Sequence, residues 1–245
     1  MFADFMLVAM DQIVNQMNKV CYMSGGQKNV PMVIRTTIGA GRAAAAQHSQ
    51  SLLAPIPHVP GAKIVIPSDA YTAKGLLKSA IRDNNPVIVV EHRKQFSMEY
   101  DMPDDADENL LIPIGKSAVV HEGTDVTVVA SAYQVGQCVN VAKHLEKKGI
   151  SVEVIDLRTL VPLDKETIVK SVKKTGRLLI VDEGYESFGV AAEITAAIEK
   201  DVFYDLDMPI SRLAAPDVPI PFSPALEKLI VPTEKTILNA IKELV

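Results

Sequence analysis

Short apolar runs alternate with helix-periodic stripes along most of this chain, and that rhythm restricts it to an α/β fold. Val87-Ile88-Val89-Val90 and Leu178-Leu179-Ile180-Val181 are such runs, and Val126-Thr127-Val128-Val129 and Val152 to Ile155 are similar but for one polar residue each, Thr127 and Glu153. They lack the polar alternation of a strand with one wet face, so they predict parallel strands covered on both sides. Ala62 to Ile66 and Pro31 to Arg35 predict two further strands, and Pro209 to Ala214 an edge strand. Between them, Ala73, Leu76, Leu77, Ala80 and Ile81 mark one helix opened by Ser68 as N-cap, and Val135, Cys138, Val139, Ala142 and Leu145 mark another, stopped at Lys147-Lys148-Gly149. Asp164 caps a third, with Leu163 and Ile168 as a hydrophobic staple and Gly176 as its end. Ala191 to Ile198 and Thr233 to Val245 read as helices, and Phe2, Phe5 or Met6, Ala9, Ile13, Met17 and Val20 place an amphipathic helix over residues 2–20.

The rhythm breaks once, over 93–116, where Glu99, Asp101, Asp104, Asp105, Asp107 and Glu108 cluster with Pro103 and Pro113. This divides the chain into a domain over 1–92, an acidic linker over 93–116 and a domain over 117–245. The linker carboxylates lack rigid spacing and read as solvated rather than metal-binding. The 245 residues are 48% apolar and 22% charged, with a formal net charge of -5 and no basic run. Nucleic acid and an anionic membrane surface are excluded as partners on charge. No apolar run reaches the roughly 18 residues of a bilayer span, and Asp4 and Asp11 interrupt any leader-like stretch. Cys21 and Cys138 lack metal-ligand spacing and read as buried small hydrophobes of a reducing compartment.

The candidate site is Gly39-Ala40-Gly41-Arg42-Ala43-Ala44-Ala45-Ala46-Gln47-His48-Ser49-Gln50-Ser51. Its glycines and alanines allow close backbone approach, and His48 can exchange a proton near neutral pH. A loop histidine bonded to local backbone is the plain alternative. The segment lacks the third glycine of a dinucleotide fingerprint and the Lys and hydroxyl of a P-loop, so it is weak as a phosphate motif. His58, among prolines, reads as structural; His92, His121 and His144 have no constellation around them. Asp182-Glu183-Gly184 reads as the C-terminal end of a strand, where open α/β sheets hold ligands, or as a charged loop. Phe5 reads as core, with a ring able to face a heterocycle as the alternative.

Several separate stretches resemble one family: Met1-Phe2-Ala3-Asp4-Phe5, Asp11-Gln12-Ile13, Ala46-Gln47-His48-Ser49-Gln50-Ser51, Ile81-Arg82-Asp83-Asn84-Asn85-Pro86, Val154-Ile155-Asp156-Leu157-Arg158-Thr159-Leu160 and Pro216-Asp217-Val218-Pro219-Ile220-Pro221. They are similar to the β subunits of thiamine-diphosphate-dependent 2-oxo acid and acetoin dehydrogenases, in order along nearly the whole chain. The resemblance implies two parallel-sheet α/β domains, an aminopyrimidine-binding one and a transketolase C-terminal-like one. It implies an E1 α subunit holding the diphosphate and its Mg2+, an α2β2 assembly, and acyl transfer to the lipoyl group of an E2 acyltransferase. Phe5 would lie against the aminopyrimidine, and His48 at the channel mouth would assist proton transfer or lipoyl acylation. Met32, Ala80, Ile81, Asp83 and Asn85 would hold K+, largely through backbone carbonyls. The implied location is the cytoplasm, or the mitochondrial matrix in a eukaryote.

In the family, a glutamate upstream of the Phe-Ala-Asp-Phe motif activates the cofactor, and this chain begins at the motif. Glu91 and Glu99 are no substitutes. The resemblance therefore implies an N-terminally incomplete first domain and a chain inactive alone. It leaves open a non-catalytic assembly module that pairs with the α subunit or E2 core. A lone transketolase-like synthase is the weaker alternative, since no Gly-Asp-Gly followed by Asn-Asn is present.

Overall fold

The computed structural model describes residues 1–103 and 107–245; Asp104 and Asp105 of the acidic segment lie outside the described residues. The strands are β1 (Val33–Ile38), β2 (Lys63–Val65), β3 (Val87–His92), β4 (Ala118–His121), β5 (Val126–Ala130), β6 (Val152–Asp156), β7 (Thr159–Val161), β8 (Leu178–Tyr185) and β9 (Ser211–Ala215). The helices are α1 (Val20–Met23), α2 (Ala70–Ile81), α3 (Tyr133–Glu146), α4 (Lys165–Thr175), α5 (Val190–Val202), α6 (Pro224–Ile230) and α7 (Glu234–Lys242). None is long and apolar enough to cross a membrane.

The strands form two sheets, ordered β1-β3-β2-β7 and β4-β6-β5-β8-β9. The pairs β1–β3, β2–β3, β5–β6, β5–β8 and β8–β9 are parallel. The added edges β7 and β4 are antiparallel. The expected pair of parallel α/β sheets is therefore observed, with two antiparallel borders that the apolar runs did not announce.

Alternation along each strand decides what it faces. Ile64, Ile66, Ile88 and Val90 point into a core shared with Val129, Ile155, Ile168 and Ile194, so the two sheets pack through one continuous apolar layer. Val65, Val87 and Val89 point the other way, onto Leu76, Leu110 and Ile112. The far face of the second sheet packs Val128, Val154 and Leu179 against Cys138, Ala142 and Ile237. Cys138 is fully buried, whereas Cys21 is only half-buried, because α1 lies at the surface.

Residues 2–20 do not form the expected continuous amphipathic helix. Ala3–Ala9 is a 3-10 helix, Gln12–Met17 winds as a π-helix, and α1 follows. In the first segment the buried apolar residues Ala3 and Met6 stand three apart, which suits three residues per turn, and Ile13 and Met17 are the buried apolar residues of the second. Ala9, expected inside, is exposed.

The first strand starts two residues later and ends three residues later than the sequence suggested. Thr36 and Thr37 extend it because the Met1 carbonyl accepts from the Thr36 hydroxyl (3.1 Å) and the Thr37 N–H (3.1 Å). Asp69, not Ser68, caps α2; its carboxylate accepts from Thr72 N–H at 2.7 Å. Asp164 and Gly176 act on α4 as expected, Gly176 with φ 68°.

Ser68 is freed to tie the two sheets together. Its hydroxyl donates to Asp156 Oδ2 at 2.5 Å, and Arg158 N–H donates to Asp156 Oδ1 at 3.1 Å. Burial pushes the Asp156 carboxyl up to about 6, against the Ser68 hydroxyl and Arg158, which lower it. A folded-state value above the unfolded one means that the folded state binds the extra proton more tightly. This contribution is fully present below about pH 4 and lost as pH rises through about 6, on the order of 2–3 kcal/mol for the shift. Chemical denaturation of wild type and Asp156→Asn should therefore show wild type losing stability relative to the variant from pH 4 to 7. Parallel pH profiles would contradict the assignment.

Candidate functional site

The C-terminal end of β1 leads into the glycine and alanine loop, and the loop returns His48 to the start of the chain. The half-buried His48 ring lies edge-on between Phe2 (5.2 Å between ring centroids) and Phe5 (5.1 Å). Phe5 remains 38% exposed, so one part of its ring is open to a flat ligand. The two residues singled out from the sequence for cofactor and proton chemistry thus meet in space, although 43 positions separate them.

Around this pair lie buried oxygens without protein partners: Asp4 Oδ2, Ser49 Oγ and Ser51 Oγ. The other Asp4 oxygen accepts from Gln50 Nε2 at 2.8 Å. Unpartnered buried polar atoms are uncommon, and their usual explanation is a ligand, a water or a strained functional site. An apolar ring face beside unsatisfied acceptors and hydroxyls fits an amine-bearing heteroaromatic ring. The chemistry of this set therefore fits the aminopyrimidine half of thiamine diphosphate. Tyr185, whose hydroxyl is pushed up by burial and by Asp4, closes the same region from β8.

The loop before His48 is held by carboxylates of β8 and α6. Ala40 N–H donates to Glu183 Oε1 (2.7 Å), Gly41 N–H to Glu227 Oε1 (2.6 Å) and Ala43 N–H to Glu227 Oε2 (3.0 Å). These amides are occupied by carboxylates, which agrees with the weakness of the stretch as a phosphate cradle. Glu183 lies near the C-terminal end of β8, as the sequence suggested, and the strand runs on to Tyr185, which pairs with Ala215.

His92 is the residue that sequence reasoning missed. It is 1% exposed, its Nε2 lies 3.0 Å from both Glu183 oxygens, and its ring stacks on Tyr133 at 5.1 Å. Its Nδ1 accepts Lys94 N–H at 3.2 Å, which fixes the proton on Nε2. Gln134 Nε2 adds a donor to Glu183 at 3.1 Å. Burial alone would push the Glu183 carboxyl up; the His92, Ala40 and Gln134 donors outweigh it and hold the group below the usual range. The available signal was positional: His92 and Glu183 each follow an apolar run, although the two strands belong to different sheets.

Met32, Ala80, Ile81, Asp83 and Asn85 converge where α2 returns to β3. The Met32 carbonyl accepts Val87 N–H (2.9 Å) and the Ala80 carbonyl accepts Asp83 N–H (3.3 Å). Asp83 Oδ1 accepts from Asn85 N–H and Nδ2, both at 2.9 Å, and Oδ2 pairs with Lys63 Nζ at 2.5 Å. Ile81 is 64% exposed, contrary to its expected place on the packed face, because it closes the last turn of α2. Among the described residues no cluster of three or more His, Cys, Asp or Glu side chains could hold a metal. Glu91 is engaged by Arg35 at 2.8 Å, and Glu99 is exposed.

A cavity of about 840 Å³ is lined by Pro57, His58, Leu160, Phe188 and Glu193. Neither Phe5 nor His48 lines it, and size alone does not mark it as the reaction site.

Comparison with known proteins accounts for both halves of the fold. Residues 1–98 match the transketolase pyrimidine-binding domain and residues 115–237 the transketolase C-terminal domain. The chain is 44% identical over 243 residues to the acetoin:2,6-dichlorophenolindophenol oxidoreductase β subunit of Cupriavidus necator, covering 99% of this chain and 71% of the relative. It is 47% identical over 242 residues to the mitochondrial pyruvate dehydrogenase E1 β subunit of Bos taurus, covering 98% and 67%. A split-gene transketolase solved as an inactive β4 tetramer superposes with a TM-score of 0.75 at 25% identity, covering 99% of this chain and 73% of that one. With both domains matched and such identity along nearly its whole length, the chain belongs to the transketolase-type family of pyruvate dehydrogenase E1 and acetoin oxidoreductase β subunits.

Proposed function

We propose that this chain forms the aminopyrimidine wall of a thiamine-diphosphate pocket shared with an E1 α subunit. There it serves decarboxylation of a 2-oxo acid, or cleavage of acetoin, with acyl transfer to a lipoyl group on E2. The observation that carries this reading is the meeting of the half-exposed Phe5 ring with His48 beside unsatisfied buried oxygens. Thiamine diphosphate, when bound, supplies the electron sink for cleaving the bond next to the carbonyl.

The chain's own residues do the rest. Phe5 presents an apolar face that orients the heterocycle and excludes water from one side. Asp4 Oδ2 and the Ser49 and Ser51 hydroxyls offer hydrogen bonds to its polar edge. His48, at the end of a fixed loop, takes or gives a proton at a ring nitrogen during transfer to the lipoyl sulfur. The diphosphate and Mg2+ belong to the α subunit, and the expected assembly is α2β2. The carbonyls around Met32, Ala80 and Ile81, with Asp83 and Asn85, hold a monovalent cation such as K+ that stiffens the turn before β3. The working division is 1–92 for the pyrimidine side, 93–116 as connector and 117–245 for subunit contacts, although β7 lends three residues to the first sheet.

One observation favours a second reading. The split-gene transketolase relative is described as an inactive β4 tetramer, so a chain of this shape can assemble without turnover. Co-expression with the cognate α subunit separates the two. Reduction of 2,6-dichlorophenolindophenol driven by pyruvate or acetoin, present with α and absent without it, supports the catalytic subunit. A stable α-containing assembly with no turnover supports the assembly module.

A further inference from the structure

The loop preceding His48 follows a path that L-residues disfavour. Gly39 and Gly41 have φ of 110° and 89°, and Ala43 and Ala45 have φ of 52° and 62°. Left-handed backbone at alanine is unfavourable and persists only where surroundings impose it. The imposing groups are two carboxylates more than 140 positions away. Glu183 and Glu227 accept three amides within a four-residue span, those of Ala40, Gly41 and Ala43.

Glu227 is the more telling of the two. It is 2% exposed, each of its oxygens takes one loop amide, and among the described residues it has no cationic partner. Burying a carboxylate without a cation is unfavourable unless donors surround it. Here the backbone curls around the carboxylate as such nests curl around bound anions. A side chain placed this way secures a loop conformation rather than adding to stability. Only four residues separate Ala43 from His48, and His48 N–H closes a turn onto the Ala45 carbonyl at 3.3 Å. A shift at Ala43 therefore reaches the imidazole lodged between Phe2 and Phe5.

We infer that Glu227, assisted by Glu183, is a positioning residue that sets the His48 ring by clamping the Gly39–Ala45 loop from the C-terminal part of the chain; the functional consequence rests on the proton-transfer role of His48 proposed above. In Glu227→Gln the amide oxygen can accept one loop N–H, but the amide nitrogen faces the other. The experiment uses the full chain assembled with its α subunit, in wild type, Glu227→Gln, Glu227→Asp, His48→Ala and the His48→Ala/Glu227→Gln double variant. Hydrogen exchange of the 39–48 segment should quicken by about tenfold or more in Glu227→Gln, and by less in Glu227→Asp, which keeps the charge one methylene short. Acyl transfer to a lipoyl domain should fall about tenfold or more in kcat with KM for the 2-oxo acid within about twofold, since small misplacements of a reacting group are costly. The double variant should be no slower than His48→Ala. Unchanged exchange in Glu227→Gln, full transfer activity despite faster exchange, or additive losses in the double variant would each overturn the inference. Should Glu227→Gln fail to assemble, Glu227→Asp carries the same readouts. Full transfer activity in His48→Ala alone would instead refute the role of His48, while the exchange result still decides the clamp.

Discussion

Replacing His48 by alanine should lower acyl transfer to a lipoyl acceptor by about 10²–10³, within the range for loss of a general acid–base group, while thiamine-diphosphate affinity stays within about fivefold. The two effects separate because the ring occupies two environments. Its edges meet Phe2 and Phe5 at 5.2 and 5.1 Å, and such aromatic contacts are worth about 0.5–1.5 kcal/mol each. Phe5 keeps its own exposed face without them, so the stacking surface for the heterocycle survives the substitution. The proton-transfer group has no such replacement, since the side chains next to it are Gln47 and Ser49. The separation is visible in two assays on one preparation. With 2,6-dichlorophenolindophenol as acceptor, no lipoyl sulfur needs a proton, and the loss should be less than about tenfold. Equal losses in both assays would assign His48 to the decarboxylation step, and no loss in either would leave it a packing residue between two phenylalanines.

The fold was legible wherever one strand's own residues decide its environment. β3, β5 and the first half of β8 are near-continuous apolar runs, and only a strand covered on both faces accommodates them. Asp164 and Gly176 were legible for the same local reason, a cap and a left-handed stop acting on their own helix. What was not legible depends on partners remote in sequence. Thr159–Val161 is three residues long, and its place on the edge of the first sheet comes from pairing with Ile64 and Val65. Ser68 read as the cap, but Asp156, 88 positions on, takes its hydroxyl.

The candidate site divides along the same line. Gly39 to His48 advertised itself because local composition made it unusual. His92 and Glu183 are each unremarkable in their own surroundings, one ending a valine run and the other following an aspartate. Their meaning arises only when β3 and β8, in different sheets, bring an imidazole and a carboxylate to 3.0 Å in the interior. Glu227 is more hidden still, a single acid in a seven-residue helix whose carboxylate turns toward a loop 184 positions earlier. Phe5 and His48 were paired by resemblance before geometry, and the ring contact supplies the physical basis for treating them as one site.

That interior junction makes Gly39 the most sensitive glycine near the site. Gly39→Ala should destabilise the protein by about 3–5 kcal/mol, the range for breaking a buried charge–donor pair. The φ of 110° already excludes most side chains, and a Cβ there would overlap the His92 imidazole. The ring cannot yield cheaply, because Tyr133 stacks on it at an interplanar angle of 21° and its Nε2 holds Glu183. Either the ring leaves, and a buried carboxylate loses a donor, or the loop moves, and Ala40 N–H leaves the same carboxylate. Gly25→Ala supplies the control. Its φ of 61° is also left-handed, but no atom lies within 4 Å of the added carbon, so the expected change is only about 1–2 kcal/mol of backbone strain. At roughly 2–4 °C per kcal/mol for a chain of this size, thermal melts of the α-containing assembly should place Gly39→Ala on the order of 10 °C below wild type. Gly25→Ala should fall roughly 2–8 °C below. Equal shifts would mean that backbone strain alone accounts for both and that the His92–Glu183 contact contributes nothing, whereas a large gap with normal His48 exchange kinetics would confine the damage to the junction.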